Sequence, residues 1–322
     1  MSLLKNFATV GGATASSRVL GFVRDSFMAA AVGTGPVADA FLVAFRFPNL
    51  FRRLFAEGAF SSAFVPIFAK TLEGEGPDEA RRFGSEALAA LLAVLIAITV
   101  VAEIAMVPLM YIMAPGFAAD PEKFDLSVLL TRIAFPYLTL ISLTALYSGV
   151  LNAGGRFAAA ASAPALLNIV FVGTLAWVLL DGHANTPTAG IALSWATLVG
   201  GLLQLAVVVI ASSRAGLGLK IVWPRITAGV KRLATLALPG VVSGGVTQIN
   251  IMVGTIIASL APGAVSYLYY ADRIYQLPLG IVGATIAVVM LPDLARQIRA
   301  GRPDLVHHTQ NRSLEFTMAL TV

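Results

Sequence analysis

Apolar windows recur along this chain at the length of a bilayer crossing, and they constrain its fold more than any other feature. A spanning α-helix needs about 20 mostly apolar residues, because in lipid every backbone N–H and C=O must be satisfied within the segment. Eight windows meet that need, at about 8–32, 36–68, 84–113, 126–151, 157–180, 188–211, 233–259 and 265–291. The terminal run SLEFTMALTV reads as the opening of a ninth. Charge is scarce: 12% of the 322 residues are Asp, Glu, Lys or Arg, about half the share of a soluble domain, and mean hydropathy is +0.83. The expected fold class is therefore all-α, a polytopic transmembrane helix bundle.

The connections carry turn chemistry and a strong bias of charge. They read GTGP, KTLEGEGPDEARR, APGFAADPEKFD, NAGGRF, DGHANTPT, SSRAGLGLKIVWPRITAGVKR, SLAPGA and PDLARQIRAGRPDLVHHTQNR. Every second one, together with the N-terminus, is basic, with residues such as Lys70, Arg81, Arg82, Arg156, Lys220 and Arg225. The alternate set holds only Lys123. Positive residues stay on the cytoplasmic side, so the N-terminus is expected in the cytoplasm of a multi-pass protein of the bacterial cytoplasmic (inner) membrane. These loops account for the net charge of +5, and no nucleic-acid partner is needed to explain it.

The longest basic connection, about 212–232, follows the sixth window and reads as an interfacial amphipathic segment joining two bundles. The expected organisation is a six-helix transmembrane lobe over 1–215 and a partial second lobe over 216–322, holding spans 7–8 and the start of 9. A chain that stops inside an apolar segment reads as the N-terminal part of a longer transporter with its second lobe truncated.

The first two windows are also the most charged. Arg18, Arg24 and Asp25 fall in the first; Asp39, Arg46, Asn49, Arg52, Arg53 and Glu57 form a broad stripe along the second. An arginine facing lipid at the bilayer centre costs several kcal/mol, so five in one hairpin belong in a polar cavity. Asp25 can neutralise Arg24, and Glu57 can neutralise Arg53 at i,i+4. Arg18, Arg46 and Arg52 have no obvious carboxylate partner, which suits an anionic ligand: the planar guanidinium fork binds phosphate bidentately. The plainer alternative for any one of these arginines is snorkelling to the headgroups. In YLYYADRIYQLPLG, Asp272 and Arg273 sit among tyrosines, which fits either a site or an interfacial aromatic belt. Glu103, Arg132, Asn152, Asn168, Gln204, Gln248 and Asn250 read as interhelical hydrogen-bonding positions, and Pro136, Pro164 and Pro239 as kinks.

Enzymatic signatures are missing from the sequence. It has no Cys, no G-x-x-x-x-G-K-[ST] phosphate loop and no paired Asp cluster for Mg²⁺, while His183, His307 and His308 fall in connections. A transporter is expected, with no catalytic residues, no metal site and no cofactor.

The runs SSRVLGFVRD, ADAFLVAFRFPNLFRRLFAEGAFSSAFVPIF, APGF, FPY, LNAGGRF, PALLNI and YYADRIYQLPLG resemble the MurJ/MviN family, the lipid II flippases of bacterial peptidoglycan synthesis within the multidrug/oligosaccharidyl-lipid/polysaccharide exporter superfamily. The resemblance implies two lobes arranged as a V around a central cationic cavity. It implies lipid II, an undecaprenyl-diphosphate-linked disaccharide peptide, as substrate, with membrane lipids and cell-wall synthesis or division proteins as further partners. Arg18, Arg24, Arg52 and Arg273 match the family's cavity arginines, Arg24 and Arg273 approaching the diphosphate from opposite lobes. Asp25 would orient Arg24, and Asp39, Asn49 and Glu57 match other functionally sensitive positions. Arg46 stands where the family often has Lys, and Gln276 where some members have Glu. Two alternatives remain: an exporter of another lipid-linked oligosaccharide, of O-antigen type, or a non-transporting scaffold for cell-wall synthesis.

Overall fold

The computed structural model describes residues 3–52, 60–276, 297–298, 300 and 302–321. Regular structure among these residues is helical, without strands. The helices are α1 (Leu3–Val32), α2 (Pro36–Arg52), α3 (Ser61–Gly74), α4 (Pro77–Ile104), α5 (Met106–Met113), α6 (Pro121–Ala134), α7 (Tyr137–Ala153), α8 (Phe157–Leu180), α9 (Pro187–Arg214) and α10 (Ala228–Ser259). Residues 264–276 form α11 as far as it is described, and α12 covers Pro303–Thr321.

Local chemistry sets these boundaries. Pro77, Pro121 and Pro187 open α4, α6 and α9, where a missing N–H costs nothing. Asp120 caps α6 by accepting from Lys123 N at 3.1 Å, and Thr227 caps α10 by accepting from Val230 N at 3.3 Å. Gly76, at φ 91°, makes the turn between α3 and α4 that a side chain would strain.

Two compact units result, Met1–Ser266 and Tyr267–Val322. In the first, α1 packs along α8, α8 along α9, and α9 against α7, while α2 lies against α6 and α9 and α3 against α4 and α7. Phe41, Phe64, Phe68, Phe135, Tyr137 and Phe171 are almost wholly buried in it. Small residues let the helices approach closely: a Cβ on Gly200 would lie 2.5 Å from Leu167, and one on Gly201 would lie 2.6 Å from Tyr137. Two buried hydroxyls return to their own helices, Thr131 Oγ1 to Ser127 O and Thr197 Oγ1 to Leu193 O, so they need no water. The outer surface is apolar, with Val101, Ile104, Ile169, Leu180, Trp195 and Leu202 exposed.

Four helical stretches are long and apolar enough to cross a membrane: Pro77–Ile104, Pro121–Ala153, Phe157–Leu180 and Pro187–Arg214. The two halves of α10 make a fifth if taken as one bent span. The first window forms α1, but Gly, Ser, Thr and three charges dilute its apolar residues. The second is helical to Arg52 and again from Ser61; residues 53–59, with Arg53 and Glu57, lie outside the described residues. The third window starts earlier, at Pro77, and breaks at Ala105 before the short α5. The fourth breaks at Phe135–Pro136, where proline has no N–H to give. The connection expected to be an amphipathic segment is non-helical over 217–227, where Pro224 and Gly218 oppose helix.

In the second unit, α11 is described to 276 and α12 begins well before the expected ninth window. His307 and His308 therefore lie on a helix and not in a connection. Thr309 Oγ1 bonds Gln297 Oε1 at 3.1 Å and Arg302 N bonds Gln297 O at 3.1 Å, tying α12 to the residues before it.

Candidate functional site

Arg24 of the charged hairpin is fixed by side chains of α1 and α8. Its Nε and Nη2 donate to Asp25 Oδ1 at 2.9 and 2.7 Å, and its Nη1 donates to Asn168 Oδ1 at 2.9 Å. Asn168, on α8 and 6% exposed, donates through Nδ2 to Ser17 O of α1 at 3.0 Å. Gly21 faces that amide, and a Cβ there would make an ordinary contact with Asn168 Nδ2 at 3.8 Å. Phe171, one turn further along α8, lies 5.9 Å beneath the guanidinium and packs on Phe41 and Phe45 of α2 at 6.0 and 5.6 Å. The guanidinium is thus held where α1, α2 and α8 meet. Three of its five N–H donors serve Asp25 and Asn168, and the planar fork leaves two for an anion.

The other predicted residues are spread along α2. Asn49 folds back on its own helix, donating to Phe45 O at 2.7 Å, and its Oδ1 accepts from Arg52 Nε at 3.1 Å. Arg46 reaches α10, where Nη1 donates to Thr255 Oγ1 at 2.8 Å. Arg18 lies exposed on α1. Glu57 lies outside the described residues.

Asp39 occupies a different environment. It is wholly buried in the first turn of α2, about 20 Å along the helix from Arg52 at 1.5 Å per residue. Its Oδ2 accepts from Lys123 Nζ at 2.7 Å and Gly263 N at 3.1 Å; its Oδ1 accepts from Ser266 N at 3.0 Å and Ser266 Oγ at 2.7 Å. Lys123 is 9% exposed, with its ammonium 3.9 Å from the centroid of Phe117. One carboxylate thus joins the starts of α2 and α6 to the turn before α11, satisfied by four donors.

Arg273 belongs to the second unit. Its guanidinium lies 4.9 Å from the Tyr269 ring centroid and donates to Gln276 Oε1 at 3.3 Å, while Gln276 Nε2 donates to Asp272 Oδ2 at 2.5 Å. No cluster of three or more His, Asp or Glu suited to a metal occurs among the described residues.

The structure brings together Arg24 with Asp25, and Asn49 with Arg52. It separates Asp39 from both pairs. Sequence reasoning gave Asn168, Lys123, Thr255 and Ser266 no place in the site. Only Asn168 had a signal, as a lone amide four residues after Pro164 in the run PALLNI.

The sequence model of the family described as "Lipid II flippase MurJ" matches residues 28–322. The chain belongs to the MurJ lipid II flippase family. It is 54% identical over 324 residues to the "Probable lipid II flippase MurJ" of Rhizobium tropici, covering 100% of this chain and 60% of that protein. With the protein of the same description from Rhizobium meliloti (strain 1021) it shares 53% over 323 residues, again 100% of this chain and 60% of the relative. The "Lipid II flippase MurJ" of Burkholderia cenocepacia is 39% identical over 327 residues, 100% of this chain and 62% of the relative. The chain thus spans about 60% of the length of these MurJ relatives.

Proposed function

We propose that this chain forms the substrate-gathering part of a flippase that carries lipid II from the inner to the outer leaflet of the bacterial cytoplasmic membrane by alternating access. The observation that carries the reading is the Arg24 fork, oriented by Asp25 and Asn168 within a chain of the MurJ family. Its free donors would take oxygens of the undecaprenyl diphosphate, the group that guanidinium recognises best. Arg18 and Arg52 on the same hairpin, and Arg273 from the second lobe, would complete the cationic lining, with Arg46, Asn49 and Glu57 supporting it. The disaccharide peptide would fill the space between lobes while the polyprenyl tail stays in lipid. No bond of the substrate is made or broken, so the protein acts as a transporter and not as an enzyme.

The lobes in this reading are 1–215 and the beginning of a second at 216–322, with the N-terminus in the cytoplasm. Outward movement of a diphosphate is downhill in a membrane that is negative inside, by about 2.3 kcal/mol per charge per 100 mV. Membrane potential alone could therefore bias the cycle.

The decisive experiment is periplasmic exposure of lipid II in cells that depend on the full-length protein carrying Arg24→Ala or Arg273→Ala. Each substitution should cut exposure at least tenfold, since a lost charged hydrogen bond is worth about 1.5–3 kcal/mol. Unchanged exposure in both variants would remove the arginine site from the mechanism.

A further inference from the structure

The connection between α9 and α10 lies across the N-terminal end of α4 and is pinned there by side chains. Lys220 N donates to Ser85 Oγ at 3.0 Å, and Thr227 Oγ1 donates to Glu86 Oε2 at 2.7 Å. A Cβ on Gly84 would lie 2.7 Å from Leu219, and one on Gly154 would lie 2.6 Å from Leu217. Between connection and helix a cavity of about 600 Å³ opens, a size typical of small-molecule sites. Four cations and two carboxylates line it: Arg81, Arg82, Lys220 and Arg225 against Asp78 and Glu86. The carboxylates are engaged, Asp78 by Arg81 and Glu86 by Thr227. Among the described residues, neither Lys220 nor Arg225 has an ion-pair partner.

Trp223 at the rim of the cavity, and Ile221 and Ile226 beside it on the same connection, are 81%, 81% and 90% exposed, an unfavourable display in water but one suited to the headgroup layer, where Trp concentrates. Lys231 and Arg232, exposed in the first turn of α10, extend the cationic face. A soluble anion would satisfy the cations and leave the rim wet. A ligand that joins a phosphate to acyl chains satisfies both.

We propose that this cavity binds the phosphate of an anionic phospholipid, with Lys220 and Arg225 on the headgroup and Trp223 and Ile226 against its acyl chains. The site requires only that this end of the bundle meet a lipid surface, and it is independent of the lipid II reading. The test uses full-length protein in phosphatidylcholine nanodiscs doped with phosphatidylglycerol or phosphatidylcholine that carries brominated acyl chains. Bromine quenches indole fluorescence at short range, and the Trp223 share is the difference from a Trp223→Phe variant. Brominated phosphatidylglycerol should quench Trp223 at roughly tenfold lower mole fraction than brominated phosphatidylcholine, as two added cations near an anionic headgroup imply. Lys220→Gln with Arg225→Gln should abolish that preference, while Lys220→Arg with Arg225→Lys should keep it, and millimolar inorganic phosphate should leave it intact. Equal quenching by the two lipids, or persistence of the preference in the double Gln variant, overturns the site. Loss of the preference to inorganic phosphate overturns the lipid assignment in favour of a soluble anion.

Discussion

At the scale of single residues, the charged hairpin contains two kinds of ionisable group. Arg24 is oriented but not fully saturated, as a ligand-binding cation should be. Asp39 is saturated by four donors and closed off from solvent, as a structural tie should be. Breaking a buried pair strands the surviving charge, at a cost of about 3–5 kcal/mol, whereas removing both partners together can be nearly neutral. Lys123→Met and Asp39→Asn should therefore each lower the thermal unfolding temperature of the full-length protein in detergent. The double variant should lose clearly less than the sum of the two; strict additivity would show that the two charges are not coupled. The pairing Arg24–Asp25 could be read from adjacency in the sequence. Asp39–Lys123 could not, because 84 positions separate the partners and the charge count of the loops treated Lys123 as an ordinary connection residue. Asn168 lay between these cases, visible as a polar intrusion but with no indication of which helix it served.

At the scale of helices, counting apolar windows found the four stretches long and apolar enough to cross a membrane, and 157–180 coincides with Phe157–Leu180. It missed the break at Ala105, between α4 and α5, although Pro108 three residues on has no N–H to give to the Ile104 carbonyl at the end of α4. Close helix approach was equally hidden, since a glycine in sequence does not say what faces it. Gly116, in the 3₁₀ turn after α5, is the sharpest case: its N–H donates to Ser259 Oγ at 3.2 Å, and a Cβ there would collide with the Ser259 carbonyl and the Leu260 backbone. Gly173, inside α8, has nothing within 4 Å of its Cβ position. Gly116→Ala should destabilise by about 1–3 kcal/mol as backbone is forced apart. Gly173→Ala should be neutral or stabilise by roughly 0.5–1 kcal/mol from helix propensity. Thermal unfolding of the two purified variants side by side tests the contrast; equal effects would mean that the turn after α5 does not press on the end of α10.

At the scale of the whole molecule, parity and charge make an orientation in the membrane testable. Three stretches long and apolar enough to cross a membrane, Pro77–Ile104, Pro121–Ala153 and Phe157–Leu180, separate Glu75 from Asp181, so these exposed residues are expected on opposite sides. Charge sets the expected direction. Lys70, Arg81, Arg82 and Arg156 flank the Glu75 end, and at the Asp181 end Lys123 is already paired with Asp39. That pairing sharpens the asymmetry that holds basic loops in the cytoplasm. The chain has no Cys, so one thiol can be placed at each end in turn. Asp181→Cys should react with a membrane-impermeant maleimide in intact cells whose outer membrane has been made porous. Glu75→Cys should react only after the inner membrane is opened. Labelling of Glu75→Cys alone in intact cells would invert the topology. The cationic cavity at Arg81 and Lys220 would then face the outer leaflet.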